Sequence, residues 1–192
     1  MAKRLILIGG MPGSGKTHIG KELARRIGLF VDKDTMSRFF TEEMLQLLGS
    51  HVDDRESETY LAHVRSVEYE TMIKHALENI EIGHSVICSA PFISEFNDEN
   101  WLKNTSFDAE LLDAEIVTIW IHVDFPTARQ RIIARGASRD TWKLANWETY
   151  ISKLPDTAPL NAGAIVIDNS GSPETPLHEQ IEAVGAQLLG EN

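Results

Sequence analysis

The chain has 192 residues, 42% hydrophobic and 24% charged, a composition that suits one globular α/β domain and excludes a disordered chain. Its 18 Lys+Arg against 29 Asp+Glu leave a net charge of −11, which argues against a nucleic-acid partner, because phosphate tracking needs clustered cations. The single cysteine, Cys88, excludes an internal disulfide, no histidine pair has zinc-motif spacing and no apolar stretch is long enough to span a bilayer, so a cytoplasmic, membrane-free protein is expected.

Leu5 to Ile8 is apolar on both faces and ends at Gly9-Gly10, the signature of a buried parallel strand. From Lys16 the period turns helical, with Ile19, Leu23 and Ile27 on one face and Gly28 placed to stop it. Leu29 to Val31 reads as a second strand closed by Asp32-Lys33-Asp34, and Thr35 to Leu48 as a helix ending at Gly49. Asp53 to Glu81 holds no proline or glycine and predicts one long helix, or two with a kink. Ser85 to Ser89 is a third strand, and Ser94 to Asp113 is weakly patterned and predicts loop with short helix. Glu115 to Val123 is a fourth strand, with Pro126 opening the next helix. Ala164 to Ile167 is a fifth strand; Ser172-Pro173 is then expected to cap a last helix whose face is Leu177, Ile181, Val184 and Leu188. Pro155 to Pro159 is a local break. Alternating strands and helices imply a five-stranded parallel sheet with helices on both faces.

Between the first strand and the first helix stands Gly10-Met11-Pro12-Gly13-Ser14-Gly15-Lys16-Thr17, which fits G-x-x-x-x-G-K-[ST] in the context that motif demands. Glycines let the backbone bend around a phosphate, and successive N–H groups with the helix N-terminus then face the anion. Lys16 supplies a full charge to the β- and γ-phosphates, and Thr17 offers a hydroxyl to Mg²⁺. The backbone N–H of His18 is placed near the α-phosphate. The absence of an N-K-x-D segment, with which GTPases read guanine, favours ATP. Strand ends of a parallel sheet share one crevice, so Asp32 and Asp34 should lie near the γ-phosphate, and alternation along an extended segment would put both on one side. An acidic cap on the following helix is the alternative reading of these two residues.

Over nearly its whole length the chain resembles the P-loop kinases of small molecules, the group of adenylate, shikimate and gluconate kinases and chloramphenicol phosphotransferase; its pattern is nearest to the AAA_33 ATP-binding proteins. The resemblance implies a three-layer P-loop NTPase fold in a single domain over 1–192, with a small lid over about 135–160. It implies ATP and Mg²⁺ as cofactors, a small-molecule acceptor of unknown identity, and a monomer or homodimer. By resemblance Asp34 is the general base and Asp32 lies near the metal. In R-I-I-A-R-G-A-S-R-D, Arg131 is placed to stack on adenine, and Arg135 and Arg139 to reach the phosphates as the lid closes. Arg129 and Lys143 add to this basic cluster, whose other reading is a solvated helix surface. Asn169, Ser170 and Gly171 follow the fifth strand where related kinases wrap the adenine edge.

The sequence departs from the group at the third strand, where many relatives carry an acid and this chain reads Cys88-Ser89. Asp124 sits where a Walker B acid could, but its place before Pro126 suits a helix start better. Cys88 reads as packing, and Trp142, Trp147 and Tyr150 as lid or core packing rather than acceptor contacts. For the acceptor, Arg38 and Arg65 are candidates for an anionic group, and Phe39, Phe40, Tyr60 and Phe92 for an apolar face. Two functions follow: a kinase acting on a small-molecule hydroxyl, or an ATP-binding switch or NTPase that acts on a protein partner.

Overall fold

The computed structural model describes residues 2–154 and 163–191. In chain order it contains β1 (Lys3–Gly9), α1 (Lys16–Ile27), β2 (Leu29–Asp32), α2 (Lys33–Leu47), α3 (Glu58–His63), α4 (Arg65–Glu81), β3 (Val86–Ser89), α5 (Glu99–Glu110), β4 (Ala114–His122), α6 (Phe125–Arg135), α7 (Thr141–Ala145), α8 (Trp147–Ile151), β5 (Ile165–Asp168) and α9 (Leu177–Leu189), with 3-10 turns at Glu95–Asn97 and Ser138–Asp140. The sheet is parallel throughout, in the order β2-β3-β1-β4-β5. β1 is therefore central, which is why its apolar run does not alternate. Leu5 and Leu7 face one layer, packed with Met72, Ala76 and Ile80 of α4 and Ala109 of α5. Ile6 and Ile8 face the other, with Ile19 and Leu23 of α1 and Val184 and Leu188 of α9. Truncating any one of these buried branched side chains to alanine costs about 2–5 kcal/mol. The carboxyl ends of β1, β2 and β3 open into one cleft of about 1050 Å³, the crevice in which open α/β sheets bind ligands.

Most strand bounds shift by a residue or two, and the larger differences from expectation have local reasons. The second strand runs one residue further, and the helix begins at Lys33 because Asp32 caps it, its Oδ1 accepting from the Thr35 N–H at 3.1 Å. Asp34 is thus helical, and strand alternation does not place it beside Asp32. The segment after Asp53 takes the second of the two expected forms, two helices broken at Val64, but the first begins only at Glu58, where Ser57 caps it. Within Ser94 to Asp113, expected to be loop with short helix, residues 99–110 form a longer helix of three turns that Asp98 caps through the Asn100 and Trp101 N–H groups. The last helix opens at Leu177, not after Ser172-Pro173. Gln180 holds the preceding turn open, donating to the Asp168 and Thr175 carbonyls at 2.9 and 2.7 Å and accepting from the Asp168 N–H at 2.8 Å. No described helix is long and apolar enough to cross a membrane. Pro155–Pro159 lies outside the described residues, as does the end of the expected lid.

Candidate active site

Gly10 to Thr17 turn from β1 into α1. A Cβ at Gly13 would lie 2.7 Å from the Ala128 carbonyl oxygen, and its φ of +83° is open to glycine at little cost. The loop is thus pressed onto α6 and has no room for a side chain there. Gly15 caps α1 without a side-chain bond, and the first turn of α1 carries no acidic residue. First-turn N–H groups have no intrahelical partner, so this helix start has the donors an anion requires. The Lys16 ammonium donates to the Gly10 and Met11 carbonyls at 2.7 and 2.9 Å, which uses two of its three protons. Burial pushes it down to about 8, although Asp34 and Asp32 pull it back up. A triphosphate is the kind of partner that restores such a charge. Met11 packs under the loop with Val123 and Ala128, Pro12 lines the cleft, and Ser14 is fully buried.

Thr17 Oγ1 donates to Asp32 Oδ2 at 2.9 Å, so the hydroxyl and the carboxylate expected to share Mg²⁺ are in contact. This donor set fits the ion, which keeps several waters and takes one or two protein oxygens beside phosphate. His18 reaches the cleft wall with an exposed side chain. Asp124 does start α6, accepting from the Thr127 N–H at 2.7 Å, and its other oxygen accepts from the Gly171 N–H at 2.9 Å. Those amides hold its carboxyl at about 2 against the effect of burial.

The turn after β5 is wired to the phosphate loop. Asn169 Nδ2 donates to the Ser14 carbonyl at 2.8 Å, and Arg131 donates to the Asn169 carbonyl at 2.9 Å and to the Gly13 carbonyl at 3.4 Å. Arg131 thus clamps loop and turn together, and Ser170 is tied back to Asp168 by N–H and hydroxyl. Arg129 lies over the Trp147 ring at 6.0 Å.

Across the cleft, Asp34 is bracketed by two cations. Its Oδ1 lies 3.1 Å from Lys33 Nζ and its Oδ2 lies 2.8 Å from Arg139 Nη1. Burial raises its proton affinity, but Lys33 and Arg139 outweigh that and hold it at about 2. Arg135 is gripped by the buried Asp140 through Nε, at 2.9 Å, and Nη2. The segment after α6 also reaches over to the residues before α3: Ser138 donates to Asp53 at 2.8 Å and Lys143 pairs with Glu56 at 2.8 Å. Tyr150 is buried against the cleft and Trp142 is 42% exposed.

Of the acceptor candidates, Arg38, Phe39 and Tyr60 line the cleft. Phe40 is 76% exposed, and Phe92 is fully buried, stacked on Phe96 at 5.2 Å as part of the core. Phe92 is therefore corrected from a ligand contact to a packing residue. Arg65 also lines the cleft, but its guanidinium is held by both oxygens of buried Glu95, at 2.6 and 2.9 Å. Burial pushes the Cys88 thiol up to about 12, as a packing role requires. The sequence reading did not single out Lys33, Glu68, Glu95 or Asp140. Arg135 and Asp140 are five residues apart and readable as a local pair, whereas Lys33 and Glu68 are separated by 35.

Comparison with known proteins bears on this geometry. The AAA_33 family model, described as an AAA domain, matches residues 5–156. A stretch of 110 residues is 36% identical to the shikimate kinase of Moorella thermoacetica and makes up 54% of this chain; the match spans 59% of that relative's length. Among solved structures, a sugar kinase from Janibacter sp. HTCC2649 superposes with a TM-score of 0.61 at 14% identity, covering 99% of this chain and 95% of that one. A gluconokinase from Sinorhizobium meliloti 1021 does so with a TM-score of 0.55 at 15% identity, covering 97% and 91%. At such identities the likeness is one of fold.

Proposed function

The chain belongs to the AAA_33 family of AAA domains, and from that premise we propose that it is an ATP-dependent kinase that transfers the γ-phosphoryl group to a hydroxyl of a small molecule. The observation that carries the reading is the position of Asp34. This carboxylate faces the same cleft as Lys16, close enough that each bears on the other's charge, and a lid arginine grips it. A carboxylate there can orient an attacking water as well as an acceptor hydroxyl; what favours the alcohol is that the cleft continues past Asp34 to Arg38, Phe39 and Tyr60, which leaves room for a molecule larger than water.

The loop amides and Lys16 would bind the phosphates, with Arg131 and the Asn169–Gly171 turn bordering the base. Thr17 and Asp32 would hold Mg²⁺, which neutralises phosphate charge when bound. Arg135 and Arg139 would counter the charge that spreads over the transferred group. Asp34, held well below the usual carboxylate range, is a weak base. Its first task is therefore to accept the hydrogen bond of the acceptor hydroxyl and aim its oxygen at the γ-phosphorus. As the new O–P bond forms and the bond to the ADP oxygen breaks, the acceptor proton becomes strongly acidic and passes to Asp34 and on to water. For that, Arg139 has to leave Asp34 for the phosphates.

The test is ATP consumption across a panel of neutral sugars, sugar acids, cyclitols, amino alcohols and hydroxylated antibiotics. One alcohol that raises turnover and yields its phosphate ester in equal amount supports the reading. No response to any alcohol, with turnover raised by a protein partner, replaces it with the switch.

A further inference from the structure

Glu68 stands in α4 with its side chain 4% exposed, yet it is charged. Its Oε2 takes the Lys33 ammonium at 2.8 Å and the Tyr60 hydroxyl at 2.6 Å, and its Oε1 takes the Thr41 hydroxyl at 2.6 Å. The Ser37 hydroxyl lies 2.8 Å from both Glu68 Oε1 and the Lys33 carbonyl, and has one proton to share between them. Burial works against ionisation here, and Lys33 with these hydroxyls overcomes it, so Glu68 stays a carboxylate. A buried pair of this kind rarely adds more stability than apolar packing of the same volume. Its placement points to another task. The same Lys33 ammonium reaches Asp34, and the side chain of Lys33 is itself only 4% exposed, so it has little room to move away from either acid. Tyr60, meanwhile, comes from α3 and lines the cleft on the acceptor side.

We infer that Glu68 is a positioning residue for phosphoryl transfer: through Lys33 it fixes the Asp34 carboxylate, and through Tyr60 it ties that carboxylate to the wall that receives the acceptor. The inference rests on the kinase reading above and adds to it a residue that touches neither nucleotide nor acceptor. Held by Glu68, Lys33 shares its charge between two acids and presents Asp34 at a fixed angle. Without that anchor the ammonium belongs to Asp34 alone, and the carboxylate follows it instead of facing the hydroxyl. Misplacement by an ångström is enough to slow a transfer that depends on alignment.

Glu68→Gln keeps the shape and removes the charge. With the acceptor found in the panel, kcat per folded protein is expected to fall about tenfold or more, while nucleotide Kd and acceptor KM stay within about twofold. The decisive measurement is the same substitution in a Lys33→Met background, where it is expected to change kcat by less than about twofold, because the route to Asp34 is already gone. An equal loss in both backgrounds overturns the inference, as does a rise in KM at constant kcat. If Lys33→Met does not fold, Thr41→Val loosens Glu68 while leaving the ion pair in place; a kcat loss of about two- to fivefold at unchanged KM supports the inference, and no loss overturns it. Should the wild-type protein phosphorylate no alcohol, the kinase reading fails on its own. The placement is then decided by a crystal structure of Glu68→Gln: Asp34 displaced from between Lys33 and Arg139 supports it, and Asp34 unmoved overturns it.

Discussion

At the phosphate loop the contacts end mostly on main chain: Lys16 on the Gly10 and Met11 carbonyls, Arg131 on those of Gly13 and Asn169, and Asn169 on that of Ser14. On the opposite bank the contacts are between side chains of opposite charge: Lys33 with Glu68 and Asp34, Arg139 with Asp34, Arg65 with Glu95, and Lys143 with Glu56. The first bank is a backbone shape set by its glycines and held by a few side chains that ask of their partners only carbonyls. The second is a set of particular partners, so it can change ligand by changing a few residues while the first keeps its nucleotide. The division explains why a phosphate-loop motif announces a superfamily but not an acceptor.

Substitutions on the two banks should therefore fail in different ways. The largest effect belongs to Lys16→Ala. Its bonds stay within its own loop, so the fold should survive while kcat/KM for ATP falls on the order of a thousandfold, read by steady-state kinetics and by loss of ATP-induced thermal stabilisation. Unchanged nucleotide affinity would refute the phosphate role. Asp34→Asn comes next. It should cost about a hundredfold in kcat, with nucleotide Kd nearly unchanged. A loss shared equally between nucleotide binding and kcat would mean that the two banks work as one.

The same contrast decides how much of the molecule is legible in its sequence. The strand–loop–helix unit was legible because its signals lie within a dozen residues: an apolar run, glycines with Lys16-Thr17, then Ile19 and Leu23 on one face. All five strands, and the cap role of Asp124, were legible for similar reasons. The start of α2 was not, because Asp32 serves both as strand end and as helix cap, and a period of two gives way to 3.6 without a breaking residue. The length of α5 was not legible because its buried face is slight, with only Thr105 and Ala109 buried, and its cap is a single aspartate. The acceptor bank was illegible in principle. Lys33–Glu68 and Arg65–Glu95 join residues 35 and 30 apart, and no periodicity encodes which acid a given cation will meet.

Acid should separate the banks without any substitution. Asp54 is held at about 2 by the Ser50 hydroxyl and the Ser57 and Glu56 amides despite burial, and Glu68 is likewise lowered. A carboxylate depressed in the fold stabilises it fully above its unfolded value near about 4, and that contribution is lost as pH falls toward about 2. Hydrogen-exchange protection, corrected for intrinsic rates, should therefore fall in α2, α3 and α4 before it falls in β1 and α1. Simultaneous loss would show that these carboxylates do not hold the acceptor bank.

The smallest expected effect tests the seam between the phosphate loop and the turn after β5. Asn169 donates to the Ser14 carbonyl at 2.8 Å and receives Arg131 both on its Oδ1, at 3.4 Å, and on its own carbonyl, so Asn169→Ala removes one short side-chain bond and one long one but leaves the main-chain contact of Arg131. One such bond contributes about 1 kcal/mol, which predicts a loss of about fivefold in ATP affinity by calorimetry. Because the bond ends on the nucleotide bank, acceptor KM should not move. If KM rises by the same factor, strain at the loop is passing through Arg131 and the lid to Arg139 and Asp34, and the two banks are coupled in a way their separate chemistry does not require.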